Sequence, residues 1–333
     1  MRRPGWLAGT GLGRALRYAV LGVALALLAL ALVRSGPQAL EALGRVGLPA
    51  GLGALLAVLV GLLASAMVWR SLLADLGSAL PLRAALQVFF VGQLAKYVPG
   101  SVFAVAAQMD LGRAHGVPRS RSGAAGLLFM GVLTAAGLLT AAVVLPLTSP
   151  DALRAFFWVL LVLPVGLVCL APPVLTRLVG LLLRLLRRAP LERPLSLRGV
   201  GTALLWAVGM WLAYGVHLWL LVAPLAAERD AGLLLLAVGA YALAWTAGFL
   251  FVIAPAGAGV RELALVAALA PVLDRGGALA VAVLSRVLMT VGDLVWGLVG
   301  GAAHRRPRVA DGAGATRGNT VGVLQQPARP ADD

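Results

Sequence analysis

The stretch Phe251–Leu269, FVIAPAGAGVRELALVAAL, places a proline, two glycines and an adjacent arginine and glutamate inside an almost unbroken apolar run. Proline removes a backbone donor and clashes with the preceding turn, and glycine accepts dihedrals that other residues avoid, so a helix entering this stretch has to break. In a soluble loop, water would satisfy the freed backbone groups. Here leucine, valine and alanine flank the break, and its meaning depends on what solvent surrounds the rest of the chain.

Composition answers that question. The 333 residues are 61% hydrophobic and 12% charged, an apolar share above and a charged share below those of ordinary soluble domains. Such a chain lacks the polar surface to coat a globule, and lipid is its expected solvent. The formal charge of +15 would suggest nucleic acid in a soluble protein. The arginines, however, gather at the ends of apolar runs, where they act as topology signals and phospholipid contacts. A nucleic-acid partner is therefore not expected. The single cysteine, Cys169, lies within an apolar run and excludes both an internal disulfide and a cysteine-rich metal site. The first apolar run, Tyr18 to Val33, follows four arginines like a signal peptide. It leads into LVRSG without a small-x-small cleavage site, so a retained helix is expected.

Roughly 20 apolar residues cross a bilayer core. By that measure full spans are expected near 17–34, 48–69, 123–147, 155–173, 200–224 and 277–302. Two further regions, 84–112 and 232–273, are interrupted near the middle by YVPGS and APAGAG. The expected breaks lie at Pro99 and Gly100 in the first region, and at Pro255, Gly257 and Gly259 in the second. Most of the 28 basic residues fall in the N-terminus, near Arg70 and Arg83, in Arg113–Arg121, in Arg177–Arg198 and after His304. Arg34, Arg45, Arg154, Arg229 and Arg275 fall on the opposite side. By the positive-inside rule both termini are then cytoplasmic, in a plasma or inner membrane. Region 84–112 must enter and leave on the cytoplasmic side, and region 232–273 on the outer side.

The expected fold is therefore an all-α integral membrane protein with about six full transmembrane helices and two broken re-entrant-type helical hairpins in an inverted-topology repeat. Its parts are a basic cytoplasmic N-terminus (1–16), one membrane domain (17–302, pseudo-repeats 17–147 and 152–302) and a disordered cytoplasmic tail (303–333). GQLAKYVP (Gly92–Pro99) and GFLFVIAP (Gly248–Pro255) echo each other across the repeats. Arg177–Arg188, RLVGLLLRLLRR, sets arginines opposite leucines, as an interfacial helix or a basic extension of the preceding span does.

Ionisable groups within membrane segments are costly and stand out as candidate sites. They are Lys96, Asp110, Arg261, Glu262, Arg286 and Asp293, with Gln93, Gln108 and His217 as polar company. Arg261 and Glu262 open the helix after the second break, where unpaired amides and the helix dipole attract anions and a guanidinium adds bidentate phosphate contact. Two readings stand side by side: a cap with structural ion pairs, or a lipid-phosphate site. Lys96 adjoins the matching break. It either faces a shared cavity with Arg261, the field moderated by Glu262 and Asp110, or snorkels to an interface. Arg286 and Asp293, seven apart, share an inward face; Arg286 either pairs structurally with Glu262 or joins a substrate path. His217 is read as a packing histidine or a proton shuttle. No metal cluster, nucleophile elbow or P-loop is present, and no cofactor or metal is expected.

APAGAGVREL resembles the PGGxGxRE signature of the lysylphosphatidylglycerol synthase transmembrane-region family. GQLAKYVPGSVFAVAAQMDLGRAHGVPRSRS is similar to that family's first-half break and basic loop, and AVAVLSRVLMTVGDLVWGLVG to its last span. The likeness covers nearly all of 17–302, with Ala256 replacing a motif glycine. It implies a flippase-like module that moves lipid head groups between leaflets, and it carries over Arg261, Glu262 and Arg286. The aminoacyltransferase domain of the synthases is not among the 333 residues, so the chain is not expected to make the lipid itself.

The reading favoured is a lipid flippase acting on an anionic phospholipid or a polyprenyl-phosphate-linked head group. The alternatives are an enzyme transferring a sugar or acyl group from a lipid donor, with Glu262, Asp110 or Asp293 as base, and a scaffold for a cell-envelope biosynthesis enzyme.

Overall fold

A computed structural model describes residues 11–97, 103–148, 154, 162–185, 190–250 and 259–303, with the backbone alone for 11–40, 42, 43, 162 and 303. The helices are α1 (Gly11–Asp75), α2 (Leu82–Gln93), α3 (Phe103–Arg113), α4 (Arg119–Val144), α5 (Val162–Leu170), α6 (Pro172–Leu185), α7 (Leu197–Val222), α8 (Ala231–Leu250), α9 (Val260–Leu269) and α10 (Arg275–Ala303). Tight 3-10 turns at Leu94–Tyr97 and Leu145–Thr148 continue α2 and α4.

Five helical stretches among the described residues are long and apolar enough to cross a bilayer: Gly44–Asp75, Arg119–Thr148, Leu197–Val222, Ala231–Leu250 and Arg275–Ala302. The chain is an all-α integral membrane protein. Four of these stretches cover the spans expected at 48–69, 123–147, 200–224 and 277–302. The side chains of 17–34 and part of 155–173 lie outside the described residues, as do the expected breaks Pro99, Gly100, Pro255 and Gly257.

Three features differ from expectation. No separate loop divides 17–34 from 48–69; both lie on α1 (Gly11–Asp75), whose backbone leaves helical geometry at Gly47, where φ is +70°. The intervening residues include the good helix formers Gln38, Ala39, Leu40, Glu41 and Leu43, and Glu41 pairs with Arg45 one turn on, at 2.7 Å. Region 232–273 is unequal about its break. Helix α8 has 20 residues and no charge, about 30 Å of helix and enough for the whole core, whereas α9 has 10 residues and reaches about half as far. Third, α5 and α6 form a pair bent by 77°. On α6, Leu175, Val179 and Leu183 face the protein while Arg177 and Arg184 are exposed.

Helix α10 organises the body. It packs on α1, α2, α7, α9 and the 3-10 turn at Leu94–Tyr97, and so touches elements of both regions that the sequence reads as interrupted. Its fit on α1 is close at Gly292. A Cβ there would lie 2.7 Å from Val58 Cγ1 and 2.9 Å from Leu62 Cδ1, far inside van der Waals contact. Trp296 anchors the same seam, its indole N–H donating to the Leu59 carbonyl at 3.0 Å and its ring stacked 4.9 Å from Phe90. Buried aromatics fill the rest, with Phe89 between Trp69, Phe90 and Phe129.

Candidate functional site

On α10, Arg286, Thr290 and Asp293 sit at i, i+4 and i+7 and so lie along one helix face. Thr290 returns its hydroxyl to the Arg286 carbonyl at 2.9 Å, which removes a donor from an apolar setting. The two charges of this face turn to different neighbours.

Asp293 is 5% exposed and takes the Lys96 ammonium at 2.6 Å. The same oxygen, Oδ2, accepts the Tyr97 hydroxyl at 2.7 Å. Both partners come from the 3-10 turn Leu94–Tyr97 in the first of the two regions expected to be broken. The Thr290 hydroxyl also lies against that of Tyr97. Lys96 is more open than Asp293, Arg286 and Glu262, its side chain 32% exposed.

Arg286 pairs with Glu262 Oε1 in a contact where both side chains are mostly buried. The other oxygen, Oε2, accepts the Gly259 N–H at 2.6 Å. Gly259 has φ of +89°, a conformation that a Cβ makes costly, and it starts α9. Glu262 thus employs both oxygens, one to hold the helix start and one to neutralise Arg286. Arg261, its neighbour, pairs with no carboxylate among the described residues. Its Nη2 donates to the Tyr241 hydroxyl at 2.7 Å, and its guanidinium lies 4.9 Å from the centre of that ring.

Beneath this lies a third polar group. His217 Nδ1 contacts the Tyr214 carbonyl, which can only accept, so that nitrogen carries the proton. Nε2 then accepts the Ser285 hydroxyl at 2.9 Å. His217 and Ser285 are both fully buried, and the Tyr241 ring meets the imidazole edge-on at 4.7 Å. The imidazole is therefore a packed, hydrogen-bonded support behind Tyr241 and, through it, Arg261.

The structure thus brings Lys96, Arg261, Glu262, Arg286 and Asp293 onto or around one face of α10. It places Asp110 elsewhere: that carboxylate pairs with Arg119 across the turn from α3 to α4. The basic loop supplies a partner six residues past the end of α3, and Asp110 turns to it rather than inward. Tyr97, Tyr241, Ser285 and Thr290 were not singled out from the sequence. A signal was present for the tyrosines, since a buried tyrosine in an apolar helix needs a partner for its hydroxyl. Thr290 lies midway along the face that the seven-residue spacing of Arg286 and Asp293 defines.

A cluster of opposed charges at the ends of broken helices, inside a body of apolar spans, is the layout that the RE motif and its glycines predict. Residues 19–297 match the family described as Lysylphosphatidylglycerol synthase TM region. The chain belongs to that family. The match runs from within α1 to within α10 and includes every member of the cluster. A comparison with curated proteins finds no match.

Proposed function

We propose that this member of the lysylphosphatidylglycerol synthase TM-region family moves lipids with an anionic phosphate head group between leaflets, with the α10 cluster as the head-group site. The observation that carries the reading is the charge of Arg261. Among the described residues, the carboxylates that meet Lys96 and Arg286 are Asp293 and Glu262, and Arg261 meets none, so the surplus positive charge rests on a guanidinium held by a neutral tyrosine. A guanidinium kept free of carboxylate retains its fork of donors for a phosphate. Helices α2, α3 and α9 are each too short to cross the core, which supports a site reached from within the bilayer's depth while acyl chains stay in lipid. Cargo of this chemistry includes anionic phospholipids and polyprenyl-phosphate-linked head groups. In this reading an inverted pair of halves would expose the cluster alternately to each leaflet.

The test is reconstitution in liposomes with fluorescent anionic lipids in one leaflet. The expected result is movement to the other leaflet with the lipid mass unchanged, and loss of movement in Arg261→Ala. A changed lipid mass would instead make the protein an enzyme, and no movement across a panel of anionic lipids would end the transport reading.

A further inference from the structure

The two carboxylates of the cluster differ in how they would fare if an anion arrived. Glu262 holds a guanidinium and a backbone N–H on separate oxygens, so losing part of one contact leaves the other. Asp293 has one cation, Lys96, and shares that oxygen with a neutral hydroxyl. Lys96 is also more exposed than Arg286, 32% against 15%, and sits on a flexible stem. An arriving phosphate therefore meets the ammonium on which Asp293 depends.

Among the described residues Asp293 has no second cation in contact. From the 3-10 turn it faces Lys96 and Tyr97, and within α10 the nearest charge is Arg286, which Glu262 holds. From α7 and α8 it faces Tyr214 and Tyr241, and beyond Tyr241 lies Arg261 of α9, bonded to that ring's hydroxyl. Helix α1 also packs on α10, but among its described side chains Glu41 and Arg45 pair together, Arg70 bonds the Leu80 carbonyl and Asp75 bonds Ser196. The charged residue of α2, Arg83, is exposed at that helix's start. A carboxylate that is 5% exposed and loses its cation is neutralised by a proton rather than left charged.

We propose that anion binding at this site is coupled to uptake of one proton by Asp293. The phosphate takes the Lys96 ammonium, a proton from water on the open side of Lys96 bonds to the freed Asp293 carboxylate, and Tyr97 turns from donor to acceptor. One negative charge and one proton enter together, so the loaded cluster keeps the net charge of the empty one. When the anion leaves, Lys96 returns and the proton departs. A pH difference across the membrane would then drive the lipid. The inference rests on the head-group reading above, and its test separates the two.

Purified protein in an uncharged detergent is titrated with short-chain phosphatidylglycerol in weakly buffered solution containing a pH indicator. The expected result is about one proton taken up per lipid bound, and a Kd that weakens by about tenfold for each pH unit between about 6 and 8, where the phosphodiester charge is constant. Asp293→Asn is expected to bind without proton uptake and with a flat pH profile, while Asp293→Glu keeps the uptake. Binding by the wild type without proton uptake, or uptake that persists in Asp293→Asn, overturns the coupling and leaves the head-group reading intact. Absence of binding removes the head-group reading and the coupling with it. Should Asp293→Asn fail to fold, the lipid-induced infrared difference spectrum of the wild type decides: a protonated-carboxyl band that appears on binding supports the coupling, and its absence overturns it.

Discussion

The two ion pairs of α10 are made from the same kinds of group but are built differently. Arg286 and Glu262 close the seam with α9, where both are mostly buried and both carboxylate oxygens are engaged. Lys96 and Asp293 close the seam with the first broken region, where the cation is 32% exposed and one oxygen serves two donors. The difference is one of replaceability. A guanidinium and carboxylate sealed together form a strut, whereas an exposed ammonium on a buried carboxylate forms a latch that another anion can take over.

The largest effect that would sharpen this contrast is expected from Glu262→Ala. It strands Arg286 without a counter-charge and frees the Gly259 N–H, and it should cost about 3–5 kcal/mol of stability, read as a lowered unfolding midpoint in detergent. A small effect there would break the comparison, because Arg286 would then be as replaceable as Lys96. Next comes Gly292→Ala, which pushes α10 off Val58 and Leu62 and should cost about 1–3 kcal/mol, measured in the same unfolding assay. Lys96→Ala should cost about 1 kcal/mol or less, as for other partly exposed pairs, because Asp293 keeps the Tyr97 hydroxyl and can be neutralised by a proton. If Lys96→Ala destabilises as much as Glu262→Ala, the latch reading fails. An equally small effect on stability is expected from Arg261→Ala, which removes one hydrogen bond and one cation–ring contact, about 1 kcal/mol together. Its expected loss of lipid movement with a nearly unchanged unfolding midpoint would separate a working cation from a structural one.

Much of this was legible in the chain. The apolar content, the spans that became Gly44–Asp75, Arg119–Thr148, Leu197–Val222 and Arg275–Ala302, and the RE motif are local features, each settled within about 20 residues by hydrophobicity and helix breakers. The reading slipped where competing local signals were close. The spans 17–34 and 48–69 read as separate, yet the helix formers between them carry both on α1. Asp110 looks like an intramembrane charge, yet it lies near enough to the basic loop for Arg119 to take it. The break after α8 was visible, but not that the helix before it is as long as a full span while the one after is half as long.

By itself the sequence determined the solvent, the helical class, the places where helices must break and the short roster of charges that a membrane would not hold without partners. Each follows from transfer free energies and backbone geometry acting over a turn or a span. Only the tertiary structure decided which charge neutralises which. Tyr97 and Asp293 meet across 196 positions, His217 and Ser285 across 68, and Arg261 pairs with no carboxylate among the described residues although Glu262 is its neighbour. The reason is geometric. A hydrogen bond or ion pair has a reach of about 3 Å, and the placement of α10 against α1 at Gly292, with α9 and the 3-10 turn on its flanks, determines which groups come within it.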